Sequence, residues 1–92
     1  MQKINWTFSA KIAYHNQLIF WKEHNQSESY PLKIIKEVNA IETILMNNPF
    51  VGKMVIEDPS YRQILVLKCF WIYYTVTEDT INIVAFKSTY QL

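Results

Sequence analysis

The hydrophobic period of this 92-residue chain changes at its single glycine, Gly52. Before Gly52, apolar residues recur mostly at the three- and four-residue spacing of a helix face. After it they come as short runs rich in β-branched and aromatic side chains, the composition of strands. Helices followed by strands, without regular alternation, argue an α+β fold rather than a parallel α/β sheet.

Residues 3–6, KINW, read as a short strand. Thr7 or Ser9 then caps a first helix, because either hydroxyl can accept an orphan backbone N–H. Ala10, Tyr14, Leu18 and Trp21 form its inward stripe, widened by Ala13 and Phe20. A second helix begins near Pro31, whose missing N–H is harmless in a first turn. Ile34, Val38, Ile41 and Leu45 make its stripe, and Asn47-Asn48-Pro49 ends it, since the residue before proline is pushed out of the α region. Four strands follow: KMVI (53–56), YRQILVLK (61–68), FWIYYTV (70–76) and INIVAF (81–86), with a polar turn at 77–80. The expected order is β-α-α-β-β-β-β, a helical hairpin on a twisted, mainly antiparallel sheet. Residues 1–92 form a single domain, a length that buries roughly 60–65% of the extended-chain surface.

Half of the residues are hydrophobic and 15% are aromatic, which excludes a disordered chain. Cys69 is the one cysteine, so neither an internal disulfide nor a four-cysteine zinc site can form. It reads as a small buried hydrophobe. No cofactor or metal is expected. The opening residues MQKINWTF lack the apolar centre of a signal peptide. The longest apolar run, residues 64–76, contains Lys68 and falls short of the ~20 residues a membrane helix needs. A soluble cytoplasmic protein is expected, with no membrane partner. The formal net charge is only +1, weak for a domain that lives on nucleic acid.

Several stretches, in order, resemble the RelE/ParE superfamily of toxins from bacterial toxin–antitoxin modules. They are INWTFSA near the start, AIETILMNNPFVGK across the end of the second helix, YRQILVLKCFWIYYTV over two strands, and TINIVAF near the end. The resemblance covers nearly the whole chain. It implies a small toxin neutralised by a cognate antitoxin. It also implies one of two targets: messenger RNA cut on the ribosome, or DNA gyrase blocked without RNA cleavage. Fold alone does not choose between them.

Metal-free RNA cleavage needs a base, an acid and cations around the phosphate. Arg62, the only arginine, matches a basic position of the family's concave sheet, and its planar fork suits phosphate. Its alternative is an ion pair with Glu57 or Asp58. Tyr90 could stand where ribonuclease members have a tail tyrosine, or replace an arginine of a Thr-Arg-Gln arrangement that TYQ echoes. Its plainer reading is a packing or surface residue. Lys87 could touch phosphate or be a solvated strand-end lysine. Arg62, Lys87 and Tyr90 are therefore the candidate catalytic set of a ribonuclease.

The departures weigh against that set. Trp71 stands near a place where ribonuclease members carry arginine, and a basic residue expected near Ser88 is absent. His15 and His24 belong to the first helix or its end, away from the sheet. Trp6, Phe20, Trp21 and Phe50 exceed the obvious needs of one small core, and some of them could line a cleft for the antitoxin. The favoured expectation is a growth inhibitor of the gyrase-blocking kind. The alternatives are a ribosome-dependent mRNA endoribonuclease or a decayed toxin that only binds antitoxin.

Overall fold

The structure, a computed structural model, describes residues 2–90. Its elements are β1 (Lys3–Trp6), α1 (Phe8–Asn25), α2 (Ser29–Asn47), β2 (Lys53–Met54), β3 (Arg62–Val66), β4 (Phe70–Val76) and β5 (Thr80–Ser88). They form one five-stranded sheet in the order β1-β5-β4-β3-β2. Only the β1–β5 pair is parallel; the others are antiparallel. The expected order and α+β layering hold. Among the described residues, no helix is long and apolar enough to cross a membrane.

Thr7, not Ser9, caps α1, accepting the Ala10 N–H at 3.2 Å. Gln26 adopts the left-handed region at φ 50° and closes the helix through its N–H on the Lys22 carbonyl. The four stripe residues of α2 are all buried, against Val66, Phe70, Ile72, Tyr74, Ile81, Ile83 and Phe86 of the sheet. Helix period from one layer and strand period from the other thus meet in a single core. From α1, Ala10 is fully buried, and Ala13, Tyr14, Leu18 and Trp21 pack on the core's margin. Phe20 does not; it is 52% exposed.

A column of aromatic rings locks α1 to the sheet. Trp6 stacks on Tyr14 at 5.1 Å, Tyr14 meets Phe86 at 5.0 Å, and Phe86 stacks on Phe70 at 5.2 Å. The Trp6 Nε1–H donates to Glu42 on α2 at 2.9 Å, so one side chain from β1 engages both helices. Ring contacts of this kind add about 0.5–1.5 kcal/mol each beyond area burial.

Three strands differ from expectation in extent. β2 stops after Met54, although the Val55 N–H still reaches the Tyr61 carbonyl at 3.0 Å. β5 is longer than residues 81–86 and carries a bulge: Tyr73 faces Ala85 and Tyr74 faces Ile83, leaving Val84 as the extra residue. β3 ends at Val66, because Leu67 and Lys68 turn the chain. Both have positive φ, 52° and 62°, and the Cys69 N–H closes the turn on the Val66 carbonyl at 3.0 Å. Two consecutive left-handed residues make a type I′ turn, whose twist matches the flanking strands and which favours Asn-Gly.

Neither Leu67 nor Lys68 suits that conformation, which costs an L-residue roughly 1–2 kcal/mol. Lys68 is exposed, so glycine there removes strain without opening a hole. Lys68→Gly is expected to stabilise the fold by about 1 kcal/mol, read as a higher urea midpoint at unchanged slope. An unchanged or lower midpoint would show that the turn carries no such strain.

Candidate functional site

The sheet sorts the candidate residues by face. Arg62 lies opposite Tyr74 in the β3–β4 register, and Lys87 lies opposite Trp71 in β4–β5. Strand residues alternate faces. Tyr74 is fully buried beneath the helices, so Arg62 points to the helix-covered side. Trp71, Tyr73 and Lys87 belong to the other, open face.

Arg62 finds neither Glu57 nor Asp58. Among the described residues the ion pairs are Lys3–Asp79 at 3.9 Å and Lys22–Glu28 at 3.6 Å, both exposed. The Asp58 carboxylate instead accepts from Ser60, through its backbone N–H at 3.2 Å and its hydroxyl at 2.6 Å. The Arg62 guanidinium donates from Nη1 to the carbonyls of Phe50 and Gly52, at 3.1 and 2.8 Å. Its central carbon stands 5.1 Å from the centre of the Phe50 ring, a cation–π distance.

Beside it, Tyr74 fastens the same turn from below. Its hydroxyl donates to the Pro49 carbonyl at 2.8 Å and accepts from the Gly52 N–H at 2.8 Å. A side chain at position 52 would place its Cβ 2.5 Å from the Tyr74 oxygen, so the close approach requires glycine. Burial pushes the Tyr74 phenol above its ordinary pKa, a rise partly offset by the Gly52 N–H and the nearby Arg62 charge. The single arginine and the single glycine therefore meet in one clasp on the turn after α2. Sequence reasoning missed Tyr74. The signal was present: period two in FWIYYTV places it inside with Phe70 and Ile72, and a buried tyrosine must bond its hydroxyl.

On the open face, the Lys87 ammonium sits 5.6 Å from the centre of the Tyr73 ring. Gln63 and Leu65 lie across from Tyr73 and Trp71, and Leu65 is 39% exposed. The face offers Lys87 at one strand end and Lys53, opposite Gln63, at the far edge, with aromatic and amide groups between them. Tyr90 lies beyond the end of β5 and is 86% exposed. It borders cavities with Trp21, Ser88 and Phe20, whereas Lys87 borders a different one. No cavity described joins two of Arg62, Lys87 and Tyr90. Gln91, the last residue of the TYQ echo, is outside the described residues. His15 and His24 are exposed on α1. Of the four large aromatics considered for a cleft, Trp6 and Trp21 pack against the core, and Phe20 and Phe50 are 52% and 61% exposed.

Compared with known proteins, the sequence matches no protein-family model and no curated protein. Its fold does match solved structures. A chain of the chromosomal ParDE toxin–antitoxin system from P. aeruginosa superposes with a TM-score of 0.74 at 18% identity, covering 96% of each chain. A YoeB/ParE toxin from Agrobacterium tumefaciens gives 0.69 at 16% identity, covering 97% of this chain and all of the other. YafQ from E. coli gives 0.58 at 10% identity, over 98% and 96% of the two chains. The chain thus shares the fold of these structures over essentially its whole length.

Two predictions follow from this geometry. Tyr74→Phe removes both hydroxyl bonds and leaves the Gly52 N–H and Pro49 carbonyl short of partners. It is expected to cost about 1–3 kcal/mol of stability, measured by chemical denaturation, with residues 49–52 losing amide-exchange protection first. A loss below about 0.5 kcal/mol would mean that the clasp is not holding the turn.

The second concerns alkaline pH. Burial, reinforced by the Glu42 carboxylate, raises Tyr14 to about 12. Burial, reinforced by the adjacent Cys69 thiol and the Tyr90 phenol, raises Tyr30 to about 12. The unfolded chain releases these protons near pH ~10 and the folded chain retains them, so the stabilisation is complete below that pH. It is lost as pH climbs through about 12. Urea midpoints should fall between about pH 10 and 12, less steeply in Tyr14→Phe. Identical slopes in the two proteins would exclude Tyr14 as a cause.

Proposed function

We propose that this protein is the toxin of a toxin–antitoxin pair, acting in the cytoplasm by binding a protein target in the manner of gyrase-blocking members. The shared fold with the ParDE, YoeB/ParE and YafQ structures supports the toxin reading. The observation that carries the choice of mechanism is the clasp at Arg62. Its guanidinium is engaged by two backbone carbonyls on the helix-covered side, away from the open face that holds Lys87. A phosphate-cleaving centre needs its cations converging within a few ångströms of one reacting group. An inhibitory docking surface needs only exposed complementary area. Phe50, Val51, Met54 and Ile56 supply such area around β2, at 61%, 45%, 53% and 84% exposure.

One observation favours a second reading, a ribosome-dependent mRNA endoribonuclease. Lys87 above Tyr73, with Trp71 beside it, gives the open face a cation and rings on which a base could stack. In that reading Lys87 binds phosphate, and Arg62 and Tyr90 join it only once RNA is bound.

Expression without the neighbouring antitoxin gene is expected to stop growth, induce the DNA-damage response and leave mRNA intact. Purified protein should inhibit gyrase supercoiling. Cuts within codons of translated mRNA, abolished by Lys87→Ala, would overturn the gyrase reading in favour of the second. Normal growth at full expression would overturn both and leave a decayed toxin that only binds antitoxin.

A further inference from the structure

α1 carries apolar residues on two opposite sides. Ala10, Tyr14 and Trp21 face the core. Phe8, Ile12 and Ile19 do not; they are 81%, 43% and 55% exposed. With 3.6 residues per turn, Phe8, Ile12, His15 and Ile19 fall within about 60° of one another, about half a turn from Ala10 and Trp21. They form one stripe along the outer side of the helix, and packing of the core does not account for it. The neighbouring helix α2 shows the ordinary arrangement. Opposite its buried stripe stand Lys36, Ala40, Thr43 and Asn47, all exposed.

The stripe is spaced four, three, four, the alternation by which two helices interlock side chains along a seam. Read backwards, the spacing is the same. An antiparallel copy of α1 therefore meets it layer for layer: Phe8 beside Ile19 of the second copy, Ile12 beside its His15, and the reverse pairs. The charges agree with this direction. Glu23 is the only acidic residue of α1, and the first turn carries none. In the antiparallel arrangement, Glu23 of each copy reaches the N-terminal end of the other helix, where unbonded N–H groups and the helix dipole favour a carboxylate. Helical side chains lean towards their own N-terminus, which turns Glu23 back onto that first turn. A parallel arrangement would set Glu23 against Glu23 and Lys11 against Lys11. Lys22, on the flank of the stripe, is held by Glu28 at 3.6 Å.

We propose that the outer side of α1 is a self-association surface, on which a second copy of this chain packs antiparallel about a twofold axis near residues 13 and 14. The contact is isologous, the same stripe serving both copies. From Phe8 to Ile19 the seam is about 16 Å long and one helix wide. Such a seam buries less than the ~800 Å² per partner of standard complexes. The dimer therefore forms and parts with concentration, with a Kd on the order of 10–100 µM. It lies behind the helical layer, so the open face of the sheet and the apolar residues around β2 remain accessible in it. The inference does not rest on the toxin reading.

The test is sedimentation of the purified full chain over a range of concentrations. The protein is expected to sediment as the 11.0-kDa monomer at about 5 µM and to approach twice that mass by about 500 µM. Ile19→Glu places a carboxylate opposite Phe8 of the second copy and should raise the Kd at least about tenfold. Phe8→Ser should do the same by removing the ring. Both positions are exposed, so both variants should keep the parent's urea midpoint at low concentration. Lys36→Ala, on the outer side of α2, should dimerise normally. A dimer that persists at full strength in both Ile19→Glu and Phe8→Ser lies on another face and overturns the proposal. A chain that stays monomeric at about 500 µM overturns it as well. Capture of that monomer by phosphatidylglycerol vesicles, lost in Ile19→Glu, would assign the stripe to a lipid surface instead.

Discussion

The turn after α2 depends on a phenol with no room to spare. Tyr74 is fully buried, and its hydroxyl spends both its donor and an acceptor on residues 49–52. Arg62 closes the same turn from the β3 side through two carbonyls. Residues from β3 and β4 thereby hold the segment that leads from the helical layer back into the sheet. The geometry favours glycine at position 52, because a Cβ there would stand only 2.5 Å from the Tyr74 oxygen. A buried polar group costs free energy unless it is bonded, so each of these groups is stable only with the others in place.

This arrangement has a consequence for function. A guanidinium is a good phosphate ligand when its fork is available and converges with other cations. Here Nη1 serves the backbone, and the sheet separates it from Lys87. The strand alternation that buries Tyr74 beneath the helices puts Arg62 on that side too. The chain's lone arginine thus serves architecture first, and it holds the turn beside the exposed apolar residues of β2 and its flanks.

The other end of the sheet is organised by rings. The column Trp6–Tyr14–Phe86–Phe70 positions α1 over β5, and the Val84 bulge restores Phe86 to the core side after Ile83. Were Val84 to take an ordinary place in the ladder, strand alternation from Ile83 would send Phe86 to the open face. The same packing leaves a cavity of about 430 Å³ between α1 and residues 84–87 of β5. That cavity and the core are therefore products of one set of contacts.

Much of this was legible in the sequence. The α2 stripe, the Asn48-Pro49 stop, the alternation in FWIYYTV and the polar turn at 77–80 each carry a local signal, because helix and strand periods are properties of neighbouring residues. Three features were not legible. The turn at Leu67-Lys68 lacks glycine, asparagine and proline, and only the pairing of β3 with β4 compels its left-handed backbone. The Val84 bulge has no compositional mark. The partner of Arg62 could not be read either, since the two nearby carboxylates were the chemically obvious choices and the actual acceptors are main-chain carbonyls ten and twelve residues earlier. The sequence by itself determined which segments are helix or strand and which of their faces are apolar. Tertiary structure alone decided what each polar group at those faces bonds and which strand edge stays open, because those outcomes depend on distances between segments far apart in the chain.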